Sequence, residues 1–170
     1  MITPEYCQTM ARYNTWQNTQ LHEAMGALDH DALCRPRGAF FGSILGTASH
    51  LLWGDAMWMS RFAGHARPEL PLARSAEAYP TLAAWWAERV RLDRRLRYWA
   101  DGLRNIDLLG HMRWHSGATG AEVSAPVARL VVHMFNHQTH HRGQIHAMLT
   151  AAGQAAPVSD LFLMPDAPPG

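Results

Sequence analysis

Apolar side chains recur at helical spacing in four long segments of this chain, separated by stretches rich in glycine and proline. The predicted helices cover residues 4–28, 43–62, 82–100 and about 125–153. Four helices of this length favour an all-α four-helix bundle. Because 170 residues suffice for one domain with a sizeable core, we expect a single domain over residues 1–170.

The ends of the predicted helices carry local signals. Ser43 is placed as the N-cap of the second helix, and Ser124 with Pro126 as the cap and first turn of the fourth. Gly143 lies inside the fourth helix, where glycine costs about 1 kcal/mol relative to alanine. This glycine therefore predicts the close approach of another helix.

Two segments outside the helices have patterns of their own. Residues 108–114 alternate loosely between apolar and polar side chains, and residues 116–120 are turn-forming. Together they predict a short hairpin between the third and fourth helices. The tail from Pro157 is predicted to be a strap across the bundle, followed by a frayed end at residues 168–170.

Composition and charge limit the classes of function. Hydrophobic residues make up 48% of the chain, seven residues are tryptophan and the net charge is +1, which argues against a nucleic-acid partner. Arginines concentrate in and just after the third helix, where Glu88 and Asp93 accompany them. We interpret this segment as a solvated face. Its arginines are Arg89, Arg91, Arg94, Arg95, Arg97 and Arg104.

The compartment is predicted from what the sequence lacks. No apolar run approaches the 18 or more residues that a membrane-spanning helix needs, so no membrane partner is expected. Residues 1–7 do not resemble a signal peptide. Cys7 and Cys34 form no C-x-x-C pattern, which favours unpaired thiols. These features predict a cytoplasmic protein.

The strongest chemical signal is a pair of histidines, His137 and His141, in the fourth helix. Residues four apart on a helix lie on one face, with Cβ atoms about 5–6 Å apart, so both imidazoles can reach one metal ion. Five of the eleven histidines of the chain fall within residues 133–146. The segment is therefore a candidate metal site.

Helical phase separates these histidines. At about 100° per residue, His141 lies about 40° from His137, within the stripe of apolar residues. His133 and His140 fall outside this stripe, and His146 lies on the opposite face. Two neighbouring buried imidazoles are costly without partners, and a shared metal ion would satisfy both.

The same spacing occurs in zinc proteases, but there a glutamate general base follows the first histidine. Here the corresponding residue is Gln138, which cannot accept a proton, so peptide cleavage is not supported. A third ligand must come from another helix. His50 is the best candidate because Trp53 and Met57 follow it at helical spacing on an inward face, and His22 is the second choice.

Three motifs together resemble the DinB family. They are YNTWQN at residues 13–18, FFGSI at 40–44 followed by HLLWGD at 50–55, and FNH with HRGQ within 135–144. The resemblance covers nearly the whole chain, and the combination of His50 with the last motif is specific.

The resemblance implies an up-down-down-up four-helix bundle, usually a homodimer, with a divalent metal ion held by three histidines. By position these are His50, His137 and His141. Relatives in the wider superfamily include mycothiol-dependent and bacillithiol-dependent enzymes. A low-molecular-weight thiol is therefore implied as a second cofactor.

Several functions agree with these residues. The first is a metalloenzyme with zinc or nickel on three neutral imidazoles, acting on a small-molecule substrate as a thiol-dependent S-transferase or isomerase. The alternatives are a metal-dependent hydrolase and a non-enzymatic, stress-related metal-binding protein. A fourth protein ligand, for which His133 is the candidate, would favour the binding role, since catalytic sites keep an open position. Asp55 and Asp160 are the acids nominated to support the ligands.

Overall fold

Four long helices form the body of the structure, a computed structural model that describes residues 2–117, 119–155 and 157–166. This confirms the all-α prediction. A fifth, short helix follows the first. The helices are α1 (Pro4–Gly26), α2 (His30–Cys34), α3 (Ile44–Phe62), α4 (Leu82–Asp101) and α5 (Val127–Ala151).

Side-chain caps begin three of the long helices. The Ser43 hydroxyl accepts a hydrogen bond from the Gly46 backbone N–H at 3.0 Å, which confirms the predicted start of α3. The predicted cap of α5 is wrong. Ser124 lies in a strand, and α5 begins three residues later, after Pro126, without a side-chain cap.

The predicted hairpin is present between α4 and α5. Strands β1 (His111–Ser116) and β2 (Ala121–Pro126) pair antiparallel. The predicted turn includes residue 118, which lies outside the described residues. Trp114 of β1 packs edge-to-face on Trp58 of α3, with ring centroids 5.9 Å apart. The hairpin thus lies against α3, beside the same tryptophan that the His133 ring contacts.

Apolar side chains from every long helix meet in one core. Helix α1 packs mainly against α4, and α3 mainly against α5. The crossover between α3 and α4 contains a 3-10 turn, Leu72–Glu77, that packs on α3. As a result, the two helices that carry the three candidate ligands are direct neighbours.

A set of paired charges lies inside this core. The guanidinium of Arg89 donates to Asp55 Oδ2 at 2.7 Å and lies 2.6 Å from Asp93 Oδ1, and all three side chains are almost fully buried. The interpretation of Arg89 and Asp93 as part of a solvated face is therefore wrong. Their face of α4 is buried because it meets opposite charges and hydrogen-bonding groups from the other helices.

The paired charges and the side chains bonded to them come from all four long helices. Asn14 and Asn18 of α1 donate to Asp93 at 2.9–3.1 Å, and Arg142 of α5 donates to Asn14. Gln138 of α5 donates to the second oxygen of Asp55 at 3.0 Å. Burial lowers the pKa of Arg142 to about 10, so this arginine stays protonated at neutral pH. We call these residues the buried polar network; they are Asn14, Asn18, Asp55, Arg89, Asp93, Gln138 and Arg142.

The C-terminal segment crosses α1 as predicted. The Val158 carbonyl accepts hydrogen bonds from the side-chain amides of Gln17 and Gln20, and the Tyr13 hydroxyl donates to the Ser159 carbonyl. The predicted frayed end, residues 168–170, lies outside the described residues. Within the described chain, none of the helices combines the length and the hydropathy that crossing a bilayer requires.

The Asp93→Ala variant tests the buried polar network. It leaves Arg89 buried with only one carboxylate, so we expect the free energy of unfolding to fall by about 3–5 kcal/mol. Urea denaturation followed by circular dichroism measures this change. The control is Glu88→Ala on the same helix, which removes an exposed ion pair with Arg91 and should change stability little. Equal, small losses in the two variants would contradict the importance of the network.

Candidate metal centre

The structure brings His50, His137 and His141 together between α3 and α5. His137 Nε2 lies 3.3 Å from His50 Nε2 and 3.1 Å from His141 Nε2. One ligand atom from each of the three lies within 4.8 Å of the other two. Imidazole nitrogens about 2.0–2.1 Å from a tetrahedral zinc ion are roughly 3.4 Å apart. The spacing of the three side chains is therefore compatible with one shared divalent ion.

A glycine makes room for the central ring. Gly54 lies one turn after His50 on α3, and a Cβ atom at this position would be 2.9 Å from His137 Cε1. The imidazole can lie against the α3 backbone only because no side chain is present. The close approach predicted at Gly143 is wrong, since a Cβ atom there would meet nothing within 4 Å.

Neighbouring side chains orient two of the three rings. His50 Nδ1 lies 2.8 Å from Ser75 Oγ, and His141 Nδ1 lies 2.8 Å from Gln144 Oε1. An amide oxygen can only accept, so His141 carries its proton on Nδ1 and directs the Nε2 lone pair at the cluster. Such contacts are the usual means of fixing metal-binding histidines.

The three rings are neutral at pH 7. Burial, reinforced by neighbouring imidazoles, lowers the pKa of His137 to about 3 and the pKa of His50 to about 4. Burial also lowers the pKa of His141, although the hydrogen bond to Gln144 opposes this effect. Because metal ions bind the deprotonated imidazole, no proton has to leave before binding at neutral pH.

An aromatic ring covers one side of the cluster. Phe41 stacks on His50, with centroids 3.6 Å apart, and meets His141 edge-on at 5.4 Å. Gly46 permits this placement, because a Cβ atom there would lie 2.5 Å from the Phe41 carbonyl oxygen. Phe41 thus covers one face of the His50 ring.

The other histidines considered from the sequence lie apart. His22, the second choice for a ligand, stacks on an α4 tryptophan with centroids 4.1 Å apart. His133 has its ring centroid 6.0 Å from that of His137 and does not join the group of three. His140 is exposed, and His146 faces a small pocket next to the C-terminal strap. Their placement agrees with the helical phases.

Neither acid nominated from the sequence contacts the rings in the described structure. The Asp55 carboxylate is occupied by Arg89 and by Gln138, which directly follows His137, and it acts on His141 only through its charge, which opposes the lowering of that residue's pKa. Asp160 is exposed and makes no hydrogen bond to the three histidines. Among the described residues, no carboxylate forms a hydrogen bond with the three rings.

Several residues of the site were given no role from the sequence, among them Gln144, Gly54 and Ser75. Gln144 follows His141 by three residues, and this spacing on a helix could have identified it. Gly54 lies inside a helix, one turn from His50. A glycine inside a helix was the signal from which a close approach was predicted at Gly143, and the same reasoning would have identified Gly54. Ser75 lies in the crossover, where no periodicity indicates which side chain turns inward.

A pocket of about 910 Å³ adjoins the cluster. His50 and His137 form part of its wall, and three tryptophans, Trp53, Trp58 and Trp114, form another part. This volume lies in the range of small-molecule sites. The candidate metal centre is thus accessible to a ligand from one side.

A helical bundle with three convergent histidines beside a pocket belongs to the class of candidate metalloproteins, and comparison with known proteins gives the family. The sequence profile of the DinB family matches residues 1–169. The chain is also 28% identical over 162 residues to Protein DinB of Bacillus subtilis (strain 168), covering 94% of this chain and 93% of that relative. This chain belongs to the DinB family.

A pair of glycine variants tests the geometry of the centre. In Gly54→Ala the new methyl group displaces the His137 ring, so we expect affinity for zinc to fall at least tenfold while the fold persists. Gly143→Ala on α5 is the control and should leave affinity unchanged, with stability equal or higher by up to about 1 kcal/mol. Competition with a chromogenic chelator measures both affinities. Wild-type affinity in Gly54→Ala would show that the His137 position is not critical.

Proposed function

We propose that this protein binds one divalent metal ion, zinc or nickel, through the Nε2 atoms of His50, His137 and His141. The convergence of three neutral imidazoles is the observation that carries the proposal. Imidazole is a suitable ligand for both ions. Two of the rings are already oriented by Ser75 and Gln144, which supports a site formed before the ion binds.

The site is proposed to be catalytic. Structural zinc sites are closed by four protein ligands, whereas catalytic sites use three and keep one position for water or substrate. Among the described residues the candidate ligands number three, and the ring of His133 packs edge-to-face against Trp58. This arrangement favours an enzyme over the alternative of a closed, non-enzymatic metal-binding protein.

The proposed reaction is thiol-dependent transfer or isomerisation of a small molecule in the adjoining pocket. When bound, a divalent ion on three neutral ligands lowers the pKa of a thiol that reaches it and supplies a thiolate nucleophile. Metal-dependent hydrolysis is the second candidate. It is less favoured because the Asp55 carboxylate is occupied by Arg89 and Gln138, and Asp160 makes no hydrogen bond to the three histidines, so neither nominated acid is placed to act as general base.

In this proposal the residues around the cluster have separate tasks. Ser75 and Gln144 hold the rings, Phe41 shields one side, and the pocket beside His137 admits the substrate.

A cytoplasmic location and the homodimer implied by the resemblance belong to the same proposal. Light scattering would test the homodimer.

The ligand assignment predicts the metal content of single variants. We expect about one equivalent of metal per wild-type chain and a large loss in His50→Ala, His137→Ala and His141→Ala, because each removes one of three ligands. His146→Ala is the control and should retain its metal, since this residue lies on the far side of α5. Elemental analysis of purified protein measures the content. Loss in His133→Ala or His22→Ala, with the three proposed ligands dispensable, would refute the assignment.

The thiol proposal predicts a spectroscopic change in cobalt-substituted protein. Ligation by a thiolate adds a near-ultraviolet charge-transfer band that nitrogen and oxygen ligands lack, so the band should grow on titration with an accepted thiol. Glutathione, cysteine, bacillithiol and mycothiol are the thiols to compare, and His141→Ala is the control. If no thiol changes the spectrum at millimolar concentration, hydrolysis or a binding role becomes the better account.

A further inference from the structure

The pocket beside the cluster has an excess of positive charge. Its wall includes Arg61 of α3, Arg67 of the crossover and Arg129 of α5, against a single carboxylate, Glu69. Within the described residues none of these three arginines forms an ion pair. Elsewhere in the molecule the buried arginines are compensated by carboxylates or amides, as Arg89 is. The pocket is therefore suited to a negatively charged ligand.

Arg61 is the best positioned of the three. Its Cζ atom lies 4.6 Å from the ring centroid of Trp58 and 5.6 Å from that of Trp114. Contact with the two indoles limits the guanidinium to few orientations, so its planar fork is partly preorganised for a bidentate partner. Burial and the nearby Arg67 lower the pKa of Arg61, which is the effect of a cation without a counter-charge. A bound carboxylate would offset this cost.

The arginine and the metal centre are connected along one wall of the pocket. The His133 ring lies between them, with its centroid 5.2 Å from that of Trp58 and 6.0 Å from that of His137. Tryptophans and other apolar side chains make up much of the rest of the pocket wall. A ligand that satisfies both ends needs a charged group, an apolar middle and a part that reaches His137.

We infer that the pocket binds a small organic carboxylate with an apolar, preferably aromatic, body. The carboxylate is held by Arg61, and Arg67 and Arg129 add positive charge. The body packs against Trp58 and Trp114. This inference rests on the proposed function, because the carboxylate is then the substrate whose other end faces the histidine cluster.

The experiment compares 2-naphthoate with its neutral analogue 2-naphthamide by isothermal titration calorimetry. Both probes are titrated into metal-free and zinc-loaded protein. We expect the carboxylate to bind at least tenfold more tightly than the amide in either form, since the arginines do not depend on the ion. Arg61→Met keeps a long apolar side chain and should remove most of this preference. Arg91→Met, on the exposed face of α4, is the matched control and should retain it.

The outcomes separate this inference from the proposed function. Equal affinity for the two probes, or no binding of either at millimolar concentration, overturns the inference even if the protein binds zinc. Failure to bind zinc with the preference intact would instead contradict the metal proposal. Should Arg61→Met not fold, Arg61→Gln replaces it, because it also removes the charge that holds the carboxylate while keeping a polar end beside Trp58 and Trp114. An unchanged preference in the folded variant also overturns the inference.

Discussion

The buried pairing of Asp55 with Arg89 and Gln138 is the constraint on which the rest of the structure depends. A carboxylate with no access to water must be matched by donors, and the two donors come from different helices. Arg89 ties α3 to α4, and Gln138 ties α3 to α5. Sliding α4 by one turn would leave the buried Asp55 and Arg89 charges without each other, and sliding α5 would leave one Asp55 oxygen without a donor. The network thereby restricts the alignment of the helices to one register.

The same register creates the candidate metal centre. Six residues of α3, from His50 to Asp55, supply one candidate ligand, the space at Gly54 for a second candidate ligand and the acceptor for Gln138. On α5, Gln138 directly follows His137. The hydrogen bond between Asp55 and Gln138 is therefore adjacent to the candidate site on both α3 and α5. Any shift that disturbed the buried polar network would also move the imidazoles apart.

The sequence predicted those parts of the molecule that follow from periodicity. Apolar spacing identified the four long helices, and the four-residue spacing with helical phase selected His137 and His141 over their neighbours. Prediction from periodicity failed where a polar side chain is buried. The apolar stripe of α5 was drawn too narrow, because the buried face continues through Gln138 and Arg142, which hydrophobicity alone assigns to solvent.

Other features depend on contacts between distant segments. Arg89 is buried only because Asp55 and Asp93 meet it, and the same composition with different partners would be a solvated face. The sequence around Ser124 is typical of a helix N-cap. In the structure Ser124 instead pairs with Arg113 in the hairpin. Local propensity is a weak guide in such cases, because tertiary contacts decide which alternative forms.

The most direct test of this account is a crystal structure with anomalous diffraction measured on both sides of the zinc and nickel absorption edges. We predict one anomalous peak per chain, about 2.0–2.1 Å from the Nε2 atoms of His50, His137 and His141, with a non-protein ligand completing the coordination. His133 should remain against Trp58. A peak bound to other side chains, or one closed by a fourth protein ligand, would contradict the proposed open metal centre.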